Sequence, residues 1–280
     1  MENGIRTICY DQNLQIEAYR FQGVQQKFPN HFHEHYVIGF IEKSERSLLC
    51  NEREYIITPG DILIFNPGDT HSCQQISEEA LDYRCLNIKS DIMKRAVFEI
   101  LGTETLPVFS SNVLFHSDLA QPLRELHQMI TEKERDFQKE EMFFFLMEQL
   151  MREASDTKLN LPFEEPTAEI KAVCDYLERN YAETITLEKL SAVTGLSKYY
   201  LLHCFTRQKG ISPYSYLETV RISKAKQLLE QGDTPTDVAF TTGFHDQSHF
   251  SNYFKKLIGL TPKQYSLIFK DRQSDKSKEE

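Results

Sequence analysis

An internal repeat in the second half of the chain constrains its fold more than any other sequence feature. Leu190–Leu196 matches Val238–Phe244 at an offset of 48 residues, and Leu201–Tyr216 matches Phe250–Tyr265 at an offset of 49. Each copy has a short helical stretch, a glycine, a second helical stretch, another glycine and a Ser-Pro or Thr-Pro pair. A short helix joined to a second one through a glycine turn is the helix-turn-helix pattern. Two copies, connected by a long helix predicted over Tyr214–Gln231, indicate a domain built from two such units.

Helix boundaries in this half are clearly marked. Pro213, Pro235 and Pro262 each follow a serine or threonine, which is the arrangement of an N-cap hydroxyl before a proline at the first helical position. Five glycines stand where helices are expected to end. The predicted helices cover 168–180, 187–194, 198–209, 213–231, 235–242, 246–258 and 262–269.

The charge of the chain is divided unevenly. The net charge of −10 would oppose nucleic-acid binding if it were spread evenly. Residues 1–165 carry 16 Lys and Arg against 28 Asp and Glu, whereas residues 166–270 carry 13 against 10. An acidic first half joined to a mildly basic second half is a hint of a nucleic-acid-binding second half, and the charge difference by itself is weak evidence.

The first half changes from strand-like to helical patterning. Residues 1–90 contain short β-prone runs separated by turn formers, which predict an antiparallel sandwich or barrel. These runs are Phe40–Ile41, Ser47–Cys50, Tyr55–Ile57 and Ile62–Phe65. Between Asp118 and Ala154 apolar residues recur at helical spacing. They comprise Leu119, Leu123, Leu126, Met129 and Ile130, followed by the apolar run Phe143–Met151. This apolar surface predicts a homodimer formed through the helices; the alternative is that the second helix simply covers the barrel.

Several classes of protein are disfavoured by the sequence. The apolar runs are much shorter than the ~18–20 residues that a membrane helix needs, and no secretory signal is visible at the N-terminus. None of the six cysteines belongs to a Cys-x-x-Cys pair, so reduced thiols and a cytoplasmic location are expected. The run from Asp156 to Thr167 contains two prolines without periodicity and is interpreted as a linker.

The second half also carries a family resemblance. Asp237–Tyr265 resembles the signature of AraC/XylS-type bacterial transcription regulators, because the spacing from Gly243 through Gly259 to Pro262 is kept. The resemblance extends over residues 168–270. It implies two helix-turn-helix units that place two recognition helices in successive major grooves on one face of double-stranded DNA.

The recognition helix of the second unit is predicted to have a buried and a polar face. Phe250, Phe254 and Leu257 recur at helical spacing and should face the core. The side chains expected to read base edges are Gln247, Ser248, Ser251 and Asn252. Lys255 and Lys256 are expected to contact phosphates, which adds affinity without sequence information.

The recognition helix of the first unit is less regular. Leu201, Cys204 and Phe205 should be buried, and Ser197 should cap the helix. The candidate DNA contacts of this helix are Ser197, Lys198, Tyr199, Leu202 and His203. Leu202 stands where the family often has a polar residue, which leaves base reading by this helix open.

A second resemblance lies in the first half. Phe28–His35 and Pro59–His71 are similar to the cupin-type sensory domain often fused to such regulators. His31, His33 and His71 match the histidine ligands of metal-dependent cupins, but the carboxylate position falls on Val37 or Ile38. The histidines could therefore hold a divalent metal such as Zn²⁺, line a pocket for a small polar molecule, or serve structure alone.

The pocket interpretation names further residues. Tyr36, Tyr83 and Arg84 are expected to join the three histidines in the lining. Ligand binding beside imidazoles would then depend on pH near the unperturbed pKa of about 6.5.

The sequence therefore predicts an α+β chain. Its parts are an antiparallel cupin- or jelly-roll-like β-barrel over 1–112, a helical dimerisation segment over 113–157, a linker over 158–167, a double helix-turn-helix domain over 168–270 and a charged tail over 271–280. The predicted function is sequence-specific transcription regulation controlled by a small molecule in the barrel, with RNA polymerase as a partner if the chain activates. No cofactor is required, and no catalysis or membrane contact is expected. The alternative is a metal-dependent cupin enzyme with an accessory DNA-binding domain.

Overall fold

A computed structural model describes residues 4–133, 136–155 and 167–276, with side chains as far as residue 269. The chain divides into two compact units, Met1–Phe163 and Glu164–Glu280. Most of the predicted linker and the last four residues of the tail lie outside the described residues. Among the helices described, none has the length and apolar character that crossing a membrane requires.

The first unit is built on two antiparallel sheets. Its described strands are β1 (Ile5–Asp11), β2 (Ile16–Val24), β3 (Phe28–His31), β4 (Tyr36–Lys43), β5 (Arg46–Cys50), β6 (Arg53–Ile57), β7 (Ile62–Phe65), β8 (His71–Gln75), β9 (Leu81–Ile88) and β10 (Val113–Leu114). One sheet has the order β1-β2-β9-β4-β7-β10 and the other the order β3-β8-β5-β6. Each of the four predicted β-prone runs lies within a strand, which confirms the antiparallel β architecture.

Strand alternation separates two faces of the larger sheet. Along β4, Val37 and Ile41 belong to the apolar cluster between the sheets, together with Leu63 and Phe65 of β7. Phe40 points to the opposite face, where its ring contacts that of His127. Because side chains along a strand alternate between faces, both faces of β4 are buried by different parts of the unit.

Three helices follow or interrupt the strands of this unit: α1 (Ser90–Leu101), α2 (Ala120–Glu132) and α3 (Asp136–Ala154). The predicted stripe of α2 is buried within its own unit, since Leu123, Leu126 and Ile130 are fully buried and the helix packs on α3 and the larger sheet. In the apolar run of α3, Phe145 is exposed while its neighbours are buried. The apolar surface on which the homodimer prediction rested is therefore already used inside the protomer.

The described part of the second unit is entirely helical. Its helices are α4 (Thr167–Arg179), α5 (Leu187–Thr194), α6 (Lys198–Lys209), α7 (Pro213–Gln231), α8 (Pro235–Thr241), α9 (Gln247–Ile258) and α10 (Pro262–Lys276). All seven predicted helices are present with boundaries that differ by one residue at most, except that α10 continues beyond residue 269. The repeat thus corresponds to α5–α6 and α8–α9, with α7 between them.

Side-chain hydroxyls and glycines terminate these helices as predicted. Ser212 and Thr234 accept hydrogen bonds from backbone N–H groups at the starts of α7 and α8. Thr261 and Gln264 form a reciprocal capping box, in which each residue's backbone N–H donates to the other's side chain. Such capping satisfies backbone donors that a helix start leaves unpaired, so the short helices keep defined ends.

Candidate functional site

Helix α9 is held in place by its cap and by two phenylalanines. Asp246 accepts the backbone N–H of His249 at 2.7 Å, which defines the first turn. Phe250 and Phe254 are 0% exposed and pack in a cluster with Ile222 of α7 and Val238 of α8. The buried stripe determines which side of α9 faces outward.

The outward face of α9 is polar and accessible. The predicted exposure is found for Gln247, Ser248, Asn252, Lys255 and Lys256, with Ser251 half-buried. Asn and Gln side chains can donate and accept at an adenine edge, and the lysines can reach phosphates. The face therefore has the chemistry of a major-groove reader, and its DNA contacts remain a prediction.

Leu257 does not join the buried stripe. Its exposed fraction is 45%, and the following residue Ile258 packs against the cluster instead. The prediction of a buried Leu257 was wrong because α9 ends at Ile258, so its last turn passes the edge of the cluster.

Helix α6 presents a different surface. Ser197 caps the helix by accepting the backbone N–H of Tyr200 at 3.2 Å, as predicted. Tyr199 and Leu202 are only 3% and 7% exposed, so their predicted outward position was wrong. The buried residues of α6 are spread around the helix rather than confined to one stripe, and they include both of these side chains.

Two predicted contacts of α6 keep some access to solvent. Lys198 and His203 are half-buried. The His203 ring stacks on that of Tyr199 with centroids 6.1 Å apart and an interplanar angle of 29°. This stacking fixes the imidazole on the side of the helix opposite Leu201 and Phe205.

Arg221 of α7 connects the segment after α4 with the second helix-turn-helix unit, and the sequence analysis did not identify it. Its Nε donates to the Tyr181 carbonyl at 2.8 Å, and another guanidinium nitrogen donates to the Glu183 carbonyl at 3.0 Å. Its guanidinium carbon lies 5.8 Å from the ring centre of Phe244 in the second unit. Arg221 thereby links the segment after α4 to the turn before α9. A buried arginine in a long helix that otherwise mixes charged and apolar residues gives no distinct sequence signal.

A cavity of ≈ 220 Å³ lies in the β-sheet unit. A single water needs only about 10–15 Å³ by the same kind of measure, so the space suits a small organic molecule. The lining is aromatic and aliphatic except for four histidines, two cysteines and Asn87. The lining residues are Tyr19, Phe21, Phe28, His31, His33, His35, Val37, Ile41, Leu48, Ile57, Leu63, Phe65, His71, Cys73, Leu81, Tyr83, Cys85 and Asn87.

Three predicted histidines come together in this cavity. One ring nitrogen from each of His31, His33 and His71 lies within 4.8 Å of the other two. Burial lowers the pKa of His33 from 6.5 to about 4, with the neighbouring His71 as a further cause. Burial also lowers the pKa of His71. For these two imidazoles, titration near pH 6.5 is therefore not expected, contrary to the prediction.

Of the other three residues predicted to line the pocket, one does so and two do not. Tyr83 lines the cavity, whereas Tyr36 faces the other side of β4 and donates its hydroxyl to the Pro107 carbonyl at 2.9 Å. Arg84 likewise points away and forms an ion pair with Glu42 at 3.2 Å. Both errors have one cause, because neighbours along a strand point to opposite faces and only the register decides which face is inside.

The lining residues that the sequence did not reveal are spread over the strands from β2 to β9, and some of them face one another across the β2–β9 pair. Tyr19 and Phe21 of β2 stand beside Cys85 and Tyr83 of β9 in the antiparallel register. Period-2 alternation along β9 could have grouped Tyr83, Cys85 and Asn87 once one of them was placed. The interior side of that alternation becomes known only from strand pairing.

Comparisons with known proteins agree with both halves. A model of the AraC-like ligand binding domain matches residues 13–147, and a model of a helix-turn-helix domain matches residues 190–267. The chain is 57% identical to the HTH-type transcriptional regulator YbfI of Bacillus subtilis (strain 168) over 249 residues, which cover 89% of this chain and 90% of that one. It is 27% identical to the HTH-type transcriptional activator RhaS of Klebsiella pneumoniae (strain 342) over 257 residues, 85% of this chain and 87% of that one.

One solved structure is similar to part of this chain. It is the crystal structure of a probable AraC family transcriptional regulator from Rhodopseudomonas palustris CGA009, which is 30% identical to this chain. The match covers 37% of this chain and 98% of that one, with a TM-score of 0.36.

A β-sheet unit with an internal cavity, followed by two linked helix-turn-helix units, defines a ligand-responsive DNA-binding regulator. The two family models and the 57% identical relative also identify the family within this class. The chain belongs to the AraC family of bacterial transcription regulators, whose members bind DNA and small-molecule effectors. The relatives give no support to the alternative of a cupin enzyme.

Proposed function

We propose that α9 reads the bases of a specific DNA site and that α6 mainly positions the protein on the backbone. The observation that carries this proposal is the polar face of α9 opposite Phe250 and Phe254. Base reading is assigned to Gln247, Ser248, Ser251 and Asn252. Phosphate contacts are assigned to Lys255 and Lys256 of the same helix.

The contribution of the first unit is narrower than the sequence indicated. Ser197, Lys198 and His203 remain candidate contacts at the start and on the outer side of α6. Tyr199 and Leu202 are not assigned a DNA contact, because both side chains are buried and offer no surface to a base edge. Contacts from these side chains to the DNA backbone would orient the protein and add affinity, but they would not distinguish one base sequence from another.

The effector is assigned to the cavity of the β-sheet unit. His31, His33, His71 and Tyr83 are among the polar groups of a lining that contains no Asp, Glu, Lys or Arg. A mainly apolar cavity suits a molecule with an apolar body and a small polar head, rather than the polar molecule first expected. The effector regulates only if it binds two states of the protein with unequal affinity.

Further assignments concern assembly and output. RhaS is named as an activator, which supports activation through RNA polymerase as the output of this chain. We also propose that the chain acts as a homodimer in the bacterial cytoplasm, where its DNA target lies, through a surface other than the buried stripe of α2. The relatives named as transcriptional regulators support a binding function without catalysis for the cavity.

Site selection tests the proposal. The purified full-length protein is incubated with a pool of random DNA duplexes, and bound duplexes are recovered and sequenced. We expect a defined consensus for the wild-type protein and a consensus relaxed at one position for Asn252→Ala. A wild-type protein that recovers no consensus, or an unchanged consensus in the variant, would contradict base reading by α9.

A further inference from the structure

The imidazole rings of His31, His33 and His71 are packed closely against one another and against Phe65. The ring centroids of His31 and His71 are 4.4 Å apart, and those of His33 and His71 are 5.1 Å apart. His71 is also stacked on Phe65 with a centroid distance of 3.8 Å and an interplanar angle of 5°. The three imidazoles are therefore packed closely together within a cavity of aromatic and aliphatic walls.

Hydrogen bonds set the tautomers of two of these rings. Nδ1 of His31 is 2.7 Å from the Pro29 carbonyl, and Nδ1 of His71 is 3.1 Å from the Asp69 carbonyl. A carbonyl oxygen only accepts hydrogen bonds, so each Nδ1 carries the proton. In the neutral ring the lone pair is then on Nε2. A backbone carbonyl on the far nitrogen is the usual second contact of a metal-binding histidine.

The turn before His71 is itself held rigidly. Asp69 Oδ2 accepts three hydrogen bonds at 2.9 Å, two from Asn66 and one from the Asn112 amide. Its Oδ1 accepts a fourth, from the Asn51 amide at 2.8 Å. The Asp69 carbonyl that orients His71 therefore stands on a fixed support, as a preorganised ligand set requires.

The spacing of the donors fits a small divalent ion. Zn–N bonds of about 2.0–2.1 Å in a tetrahedral site place the donor nitrogens about 3.3 Å apart. The three nitrogens already lie within 4.8 Å of one another, so small side-chain rotations suffice.

We infer that His31, His33 and His71 hold one divalent transition metal ion of the Zn²⁺ type, and that the effector binds by filling its open coordination position. This inference rests on the proposed effector role of the cavity. Three protein nitrogens leave a fourth position of a tetrahedral ion for a ligand. All three histidines line the cavity, so a ligand bound at that position would extend into its apolar space.

The lining of the cavity then determines the class of effector. The polar head of the effector must bind the metal through an oxygen or a nitrogen, because the lining has no Lys or Arg with which a carboxylate could pair. Its body must be apolar and small enough for ≈ 220 Å³, with Phe21, Phe28 and Tyr83 among the aromatic walls. Compact aromatic or branched aliphatic carboxylates meet both conditions.

Metal binding is tested with the full-length protein and Co²⁺, a substitute for Zn²⁺ with visible absorption bands that become intense in four-coordinate sites. After treatment with a chelator and its removal, we expect one Co²⁺ per chain with such a spectrum, displaced by one equivalent of Zn²⁺. His33→Ala should weaken Co²⁺ binding by about 100-fold or more, since even outer-shell partners of a metal ligand are worth about 10–100-fold. His116→Ala, which alters an exposed histidine outside the cluster, is the control and should bind like wild type.

Two outcomes of this titration would overturn the metal site. One is no stoichiometric Co²⁺ binding by the wild-type protein; the other is equal binding by wild type and His33→Ala. Circular dichroism verifies that both variants fold, and His31→Ala gives a second, independent removal of a ligand. Affinity for the selected DNA duplex is measured on the same preparations. Retained DNA binding without metal binding would refute this inference and leave the regulator function standing.

The open position is tested with benzoate and acetate as probes. We expect benzoate to change the visible spectrum of the Co²⁺-loaded protein at lower concentration than acetate, because only benzoate fills the apolar space beside the ion. Leu48→Asp, which places a charge in the lining, should remove the preference for benzoate while a folded protein still binds Co²⁺. A spectrum that neither probe changes, or an equal response to both in the wild type, would refute the assigned effector class.

Discussion

The two helix-turn-helix units share their interior and differ in the surface of their recognition helices. Leu201 and Phe205 of α6 are fully buried, as are their counterparts Phe250 and Phe254 of α9. On the outer side, α9 exposes Asn252 and other polar groups, whereas α6 buries Tyr199. The repeat therefore preserves what packs the helices together, and the reading surface is free to diverge.

The comparison extends to the turns between the helices. Gly195 and Gly243 both have positive φ, at 72° and 83°. Around Gly195 there is open space, whereas a Cβ on Gly243 would lie 2.8 Å from the Tyr181 carbonyl oxygen. Only the second turn is packed against the segment after α4, on which Arg221 also converges. The turn of the second unit is therefore in close contact with neighbouring backbone at Gly243, whereas the equivalent position of the first unit, Gly195, has no such contact.

The largest expected effect tests whether the two cores are equivalent. Phe205→Ala and Phe254→Ala each remove a fully buried ring, and each should lower the free energy of unfolding by about 3–5 kcal/mol. Chemical denaturation of the full-length variants, followed by helical circular dichroism, measures this. A loss below about 1 kcal/mol in either variant would break the equivalence of the buried stripes.

The glycine turns should respond unequally. Gly195→Ala should cost about 1–2 kcal/mol, because a left-handed residue with a Cβ is strained. Gly243→Ala carries the same strain and also a clash with the Tyr181 and Ala182 carbonyls, so its cost should be larger. Denaturation midpoints of the matched pair measure the difference. Equal midpoints would show that the close packing around Gly243 contributes nothing to stability.

Base reading should separate the two recognition helices. Asn252→Ala should weaken binding to the selected DNA site by about 1–3 kcal/mol and relax the choice of one base. His203→Ala should weaken all sequences by a similar, smaller factor, because a backbone contact carries no sequence information. Fluorescence anisotropy with the selected duplex and single-base variants measures both. A change of base preference in His203→Ala would mean that α6 also reads sequence.

The smallest effect concerns the phosphate contacts of α9. Lys255→Ala should weaken specific and non-specific duplexes alike and reduce the slope of log K against log salt by about 0.9. Titrations at several salt concentrations measure the slope, with Lys263→Ala as a control on an exposed lysine of α10 outside the recognition helix. An unchanged slope in Lys255→Ala would remove this lysine from the interface.

Sequence reasoning succeeded where local chemistry decides structure. Ser212 and Thr234 cap their helices, and the glycines end them, because these residues satisfy backbone groups within three or four positions. The convergence of His31, His33 and His71 was also foreseen, on the strength of a family resemblance. The tautomers of these histidines were not foreseen, and neither were the hydrogen bonds that hold Asp69 beside His71. Both depend on strand pairing and on the packing of the turn before His71.

The two halves of this protein, the helix boundaries of the DNA-binding unit and the burial of Phe250 and Phe254 in α9 follow from the amino-acid sequence alone. Which strand face lines the cavity depends on strand pairing and packing, which place Tyr83 inside and Arg84 outside. The packing of Leu123 and Leu126 within one protomer and the burial of Tyr199 likewise depend on tertiary structure. The physical reason is that periodicity shows which residues share a face, whereas burial of that face depends on partners distant in sequence.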